Sequence, residues 1–335
     1  MNARKIIVIG DGGWGTALAM VLHGNGHPVC VWGPFQDNID SIRATRRNET
    51  YLPGVELPDG ITWTADPAEA AAGADVAVMA VPTQFYRDVA RRFRGLVSPS
   101  ALAVSVTKGL DRDTHRTMTA IAEECLGIPC VAALSGPSHA EEVARGIPTA
   151  VVIAAARAAD RDALQDIFNS RTFRIYTSED VTGVQIGGAL KNVIAIAVGI
   201  SDGLGFGDNT RAALITRGLS EIARLGTALG CRPETFSGLS GMGDLIVTCT
   251  SRHSRNRGVG ERLGRGESLA QITGGMKQVA EGVWNAGNAK ALAAEHGVDA
   301  PITAQVCRIL NEGMSPLHAV EALMSRDLKP EQPPR

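Results

Sequence analysis

Apolar residues in the first half of the chain fall into short, β-branched runs separated by stretches of helical period. Lys5 to Ile9, Val29 to Trp32, Val76 to Val81, Leu102 to Val106 and Cys130 to Leu134 have the length and composition of buried parallel strands. Gln36 to Arg47, Gln84 to Phe93 and Arg116 to Leu126 read as helices between them, and Thr149 to Ala154 and Phe173 to Thr177 as two further strands. Such alternation predicts a doubly wound, mostly parallel sheet. From about Val181 the strand-like runs stop. Val184 to Gly199, Thr210 to Leu229, Val259 to Arg265, Val279 to His296, Ile302 to Asn311 and Pro316 to Met324 all carry helical spacing, which predicts an all-α second half.

The first strand runs straight into Gly10-Asp11-Gly12-Gly13-Trp14-Gly15, and the helix-like Thr16 to Leu22 follows. Gly10, Gly12 and Gly15 fit the dinucleotide fingerprint, whose glycines allow a tight turn and a close approach of backbone to pyrophosphate at a helix N-terminus. In a chain with 38 glycines the motif alone is weak; its place between strand and helix gives it weight. The expected fold is therefore α/β: a Rossmann-type dinucleotide-binding domain at 1–180, a helical substrate and catalytic domain at 181–328, and a polar tail at 329–335. NAD-selective sheets place Asp or Glu at the end of the second strand, about 20 residues beyond the glycines. Here that point reads Trp32-Gly33-Pro34. The missing carboxylate raises the expectation that the 2′-phosphate of NADP(H) is tolerated or preferred, with Arg43, Arg46 or Arg47 as its partner.

Lys191 is the only charged residue between Val181 and Ser201. A lone ammonium in so apolar a stretch must snorkel to water, find a carboxylate, or face a cavity in which a substrate meets it. Its helical neighbours Gly187, Gly188, Ala195 and Val198 are mostly small, which leaves room beside the amine. A membrane span is the plain alternative by length, but Gln185, Lys191 and Asn192 at its middle argue against it.

Three further clusters could complete a site between the halves. Gly241-Met242-Gly243-Asp244-Leu245 offers a carboxylate able to orient Lys191. Ser251-Arg252-His253-Ser254-Arg255-Asn256-Arg257 packs three arginines and a histidine, suited to a phosphate dianion. Thr107-Lys108-Gly109 follows a strand at the carboxyl edge, where ligands sit in such sheets. Plainer readings exist: Asp244 as a helix cap, the arginines as a solvated loop, and Ser135-Gly136-Pro137-Ser138 as a turn.

Composition fits a soluble enzyme. A net charge of −2 with both signs spread throughout argues against nucleic acid or an anionic membrane as partner. The six cysteines form neither a C-x-x-C pair nor a metal pattern, so reduced thiols in a cytoplasmic protein without a metal site are expected. No signal peptide precedes the first strand.

Taken in order, the motifs resemble one family from about Lys5 to Leu328. They are Gly10 to Ala17, Thr107 to Leu110, Ser135 to Ser138, Gly187 to Asn192, Ser201 to Gly207, Thr216 to Leu219, Gly241 to Leu245, and Thr248 to Thr250 with Ser254 to Asn256. The family is that of the bacterial NAD(P)-dependent glycerol-3-phosphate dehydrogenases. The resemblance implies reversible hydride transfer between NAD(P)H and dihydroxyacetone phosphate, giving sn-glycerol 3-phosphate for phospholipid synthesis, in a cytoplasmic homodimer. It implies Lys191 as general acid and base, with Lys108, Gly136, Ser138, Asp244, Ser254, Arg255 and Asn256 around the substrate. Gly13, Trp14, Lys108, Ala140, Arg255, Val279 and Glu281 are implied at the cofactor, beside Gly10, Gly12 and Gly15. Two departures stand out: Pro34 replaces a usual basic residue, and His139 a usual Phe. Rival readings are a dehydrogenase of another hydroxy acid or sugar phosphate, for which Lys-x-x-x-Asn replaces the adjacent Lys191-Asn192, and a nucleotide sensor without chemistry.

Overall fold

The computed structural model describes residues 3–276 and 280–331. Eight strands form one sheet: β1 Ile6–Ile9, β2 Val29–Trp32, β3 Ile61–Thr64, β4 Val76–Met79, β5 Leu102–Ser105, β6 Ala132–Ser135, β7 Thr149–Ala154 and β8 Phe173–Ser178. Their spatial order is β3-β2-β1-β4-β5-β6-β7-β8. The first six run parallel, β7 turns antiparallel to β6, and β8 runs parallel to β7. The doubly wound sheet expected from the alternation is present. The order reverses between β1 and β4, so the crevice for a ligand opens beyond their carboxyl ends.

Period-two alternation assigns the two faces of the sheet. Ile6 and Val8 pack with Leu18 and Leu22 of the helix Gly13–Gly24, while Ile7 and Ile9 pack with Tyr86 and Phe93 on the opposite side. Strand β3 had no clear signal, because Ile61-Thr62-Trp63-Thr64 is short, half polar and at the sheet edge, with Thr62 exposed. The helix Ala158–Phe168 was missed as well.

The helical half is built round one element, the core helix Val181–Gly203. It is long and apolar enough to cross a bilayer, yet every residue from Gly183 to Ser201 is buried within the protein. The helices Asp208–Ala228, Asp244–Thr250, Arg255–Gly264, Glu281–Glu295 and Pro301–Glu312 surround it. Glycines set the closest crossing: a Cβ on Gly199 would stand 2.0 Å from the Arg257 carbonyl oxygen, and one on Gly260 2.1 Å from that of Ile196. The core helix is thereby drawn against the segment that begins with Ser254 and Arg255.

Polar side chains fix the helical half to the sheet. The Gln185 amide donates to the Thr119 hydroxyl and accepts from the Thr119 backbone N–H, both at 3.0 Å. Asn285 accepts from the Leu110 N–H, and Asn288 donates to the Leu110 and Asp111 carbonyls. These buried bonds hold the stretch after β5, which carries Lys108, against the helices.

Candidate active site

A cleft of about 360 Å³ lies where the carboxyl edge of the sheet meets the core helix. Its sheet wall is the glycine turn. Gly10 has φ +120°, and a Cβ there would stand 2.4 Å from the Ala80 carbonyl oxygen; at Gly15 it would stand 2.1 Å from that of Gly10. Only glycine fits this turn. Gly12 caps the helix Gly13–Gly24 without a side chain, and its first turn carries no acid, so its N–H groups are open to an anion. The Trp14 indole N–H beside it is buried without a hydrogen-bond partner. This cradle fits the pyrophosphate of a dinucleotide.

On the opposite wall Lys191 projects from the middle of the core helix and is 5% exposed. Its Nζ donates to Asp244 Oδ1 and, at 2.7 Å, to Thr248 Oγ1. Lys108 Nζ forms an ion pair with the other oxygen, Asp244 Oδ2, at 2.8 Å. Two ammonium groups therefore share one buried carboxylate. Burial pushes the Lys191 amine down to about 7; Lys108 adds to that shift, and Asp244 opposes it without reversing it. The balance that sequence left open falls toward the neutral amine. Asp244 opens the helix Asp244–Thr250 but makes no capping bond, so the cap reading is set aside. Five residues of π-helix, Leu239–Gly243, precede it and carry the carboxylate inward.

Lys108 also donates to the Gly136 carbonyl at 2.8 Å and the Ser138 hydroxyl at 3.1 Å, so the end of β6 holds its head in place. His139, next in the chain, has its pKa lowered by burial, then by Lys191 and Lys108, which keeps the ring neutral and ill suited as the acid.

The segment from Ser254 to Asn256 supplies a third side. Ser254 accepts from the Arg257 N–H and caps the helix Arg255–Gly264, whose first residue, Arg255, reaches into the cleft. The Asn256 amide donates to Asn192 Oδ1 and accepts from the Gly282 N–H, both at 2.9 Å, joining three helices. Glu281 accepts from the Thr83 backbone N–H and hydroxyl across the cleft mouth. Burial raises its pKa, against those bonds and Arg255.

Of the residues singled out from sequence, the cleft is lined by Gly10, Gly12, Gly13, Trp14, Gly15, Lys108, Ser138, Ala140, Lys191, Ser254, Arg255, Asn256 and Glu281. Gly136 and Asp244 stand behind Lys108 and Lys191. Val279 lies outside the described residues. The arginine cluster is divided rather than shared: Arg257 pairs with Asp202 of the core helix at 2.7 Å and Arg252 does not line the cleft, leaving Arg255 there. Arg43, Arg46 and Arg47 do not line it either. Sequence reasoning placed Thr248 in a motif but gave it no role, although its place four residues after Asp244 on one helix was the available signal. It also missed Thr83, Tyr51, Phe35 and Phe85, which no motif marks.

This arrangement defines a class: oxidoreductases in which a Rossmann sheet takes a nicotinamide dinucleotide and a helical partner supplies groups for the second substrate. Comparison with known proteins narrows it. The sequence profile for the NAD-dependent glycerol-3-phosphate dehydrogenase N-terminus matches residues 5–160, and that for the C-terminus matches residues 180–321. The glycerol-3-phosphate dehydrogenases, NAD(P)+, of Fusobacterium nucleatum and Geobacter sulfurreducens are each 48% identical, the first over 97% of this chain and 98% of its own, the second over 98% and 99%. The crystal structure of glycerol-3-phosphate dehydrogenase from Coxiella burnetii superposes with a TM-score of 0.93 at 38% identity, covering 97% of this chain and 99% of that one. The chain belongs to the NAD-dependent glycerol-3-phosphate dehydrogenase family.

Proposed function

We propose that this chain interconverts dihydroxyacetone phosphate and sn-glycerol 3-phosphate with NAD(P)H, and that Lys191 is the proton donor and acceptor. The observation that carries the reading is the buried Lys191 and Asp244, joined by the half-buried Lys108, at the same cleft as the glycine turn and Arg255. The dinucleotide, when bound, supplies or receives the hydride. In reduction the Lys191 ammonium gives its proton to the carbonyl oxygen as negative charge gathers there. In oxidation the neutral amine takes the proton of the hydroxyl. An amine brought down to about 7 has both forms available near neutral pH. Thr248 and Asp244 fix where its Nζ points, and Lys108 holds the second oxygen of Asp244.

Arg255 and Asn256 bind the phosphate, away from the reacting carbon, and so turn binding energy into orientation. Residues 1–180 and 181–328 act as the dinucleotide and substrate domains in this reading. The product feeds phospholipid synthesis, and the working form is a cytoplasmic homodimer. The test is absorbance at the reduced-nicotinamide band with dihydroxyacetone phosphate, 6-phosphogluconate and 3-hydroxyisobutyrate offered in turn. Turnover of the triose phosphate supports the reading; turnover of another substrate without it would overturn the choice of substrate.

A further inference from the structure

We infer that the adenosine end of the cleft selects NADH over NADPH, and that Pro34 and Asp11 set this choice. The inference rests on the dinucleotide reading above and reverses the expectation drawn from the missing carboxylate.

The two dinucleotides differ at a single oxygen of the adenosine ribose, which carries hydrogen in one and a phosphate in the other. In a sheet of this order that oxygen meets the residues at the end of β2. Here the chain leaves β2 as Gly33-Pro34-Phe35, and Pro34, Phe35, Tyr51 and Phe85 line the cleft. The nearby cations are committed elsewhere. Arg43 donates to the Trp63 carbonyl at 2.8 Å, Arg46 donates to the Leu57 carbonyl and pairs with Asp59, and Arg47 pairs with Glu49 at 3.8 Å. Arg92 stacks over the buried Trp32 ring, 5.2 Å from its centroid. The ammonium groups that line the cleft, Lys108 and Lys191, are held on Asp244, and Arg255 enters from the helical half beside Glu281. Among the described residues, then, no cation meets the β2 end.

The charge that does stand there is negative. The Asp11 carboxyl group packs directly behind the β2 exit, so that a Cβ on Gly33 would lie 2.5 Å from its Oδ2. Burial raises the Asp11 pKa, and the Asn38 amide, which donates to that oxygen at 2.7 Å, opposes the rise. The carboxylate that other NADH-selective sheets place at the tip of β2 is supplied here from the glycine turn, one layer deeper. A 2′-phosphate would bring further negative charge beside it and lose hydration with no cation to replace it. A 2′-hydroxyl meets neither penalty. Phe35 and Phe85, 60% and 54% exposed, offer flat faces to the adenine of either dinucleotide, so the choice falls on the 2′ position.

The test is titration of the full-length protein with NADH and with NADPH by isothermal calorimetry, without substrate. The wild type is expected to bind NADH at least about tenfold more tightly, the scale of a single charge-assisted hydrogen bond. Pro34→Arg, at an exposed position, is expected to lower the ratio of the NADPH to the NADH Kd by about tenfold, since it supplies the missing cation. Asp11→Asn should move the ratio the same way by a smaller factor. NADPH binding as tight as NADH in the wild type, or a ratio unmoved by Pro34→Arg, would overturn the selectivity. Failure of both dinucleotides to bind would instead overturn the cofactor reading beneath it.

Discussion

Lys191 holds its ammonium on the buried Asp244 carboxylate and at the wall of the cleft. Its isolation in an apolar run left three outcomes, water, a carboxylate or a cavity, and it has Asp244 for the second and the cleft for the third. The direction of its pKa was not legible, because burial and Lys108 act against Asp244 and only their distances and depth decide the sum. Two consequences can be measured. The rate of dihydroxyacetone phosphate reduction should fall as pH rises through about 7, and glycerol 3-phosphate oxidation should rise through the same point, in kcat/KM profiles taken in each direction. Stability should follow the same proton. Below about 7 both folded and unfolded chains hold it and the buried charge costs in full; above the ordinary value of 10.5 neither does. The Lys191 contribution therefore makes the protein more stable as pH climbs between those limits, and thermal unfolding of Lys191→Met should show a shallower slope there than the wild type. A steeper slope in the variant would contradict the burial argument. Arg255→Ala should chiefly raise the KM for the phosphate-bearing substrate, whereas loss of kcat alone would deny it the phosphate.

At the scale of elements, the β-branched runs were readable because strands buried on both faces are apolar throughout, and the helices because of their length and period. The short pieces were not. The edge strand β3 carries too little hydrophobic pattern, and the five-residue π-helix before Asp244 is too short to show a period of its own. The arginine cluster misled for a related reason: Arg257 lies one helical turn beyond Ser254, facing Asp202, and adjacency in sequence hides that change of face. The helix Arg255–Gly264 connects structure to chemistry, since its cap sits at the cleft. Ser254→Ala should cost about 1 kcal/mol in urea unfolding through loss of that cap and should also raise substrate KM. Gly260→Val would force a side chain into the Ile196 carbonyl and should cost about 3 kcal/mol or more, with the cofactor cradle left intact. A neutral result at Gly260 would mean that the two helices can separate freely.

For the molecule as a whole, the site exists only where both halves meet. Gln185 with Thr119, Asn285 and Asn288 with the stretch after β5, and Glu281 with Thr83 keep that junction closed by buried polar contacts. None of these pairings was visible in the sequence, since each joins residues more than sixty positions apart with no shared motif. The fold class and the lysine wall were visible; the Asp11 carboxyl group behind the β2 exit was not, because no sequence spacing links the glycine turn to Gly33. Light scattering on the eluted protein should give twice the chain mass if the proposed homodimer is the working form, and a monomer at micromolar concentration would remove it. The most direct measurement is steady-state reduction of dihydroxyacetone phosphate by wild type and Lys191→Ala, with the NADH Kd determined beside it. A fall in kcat of about 10²–10⁴-fold with cofactor affinity nearly preserved is the predicted result. Turnover close to the wild type would show that another group moves the proton.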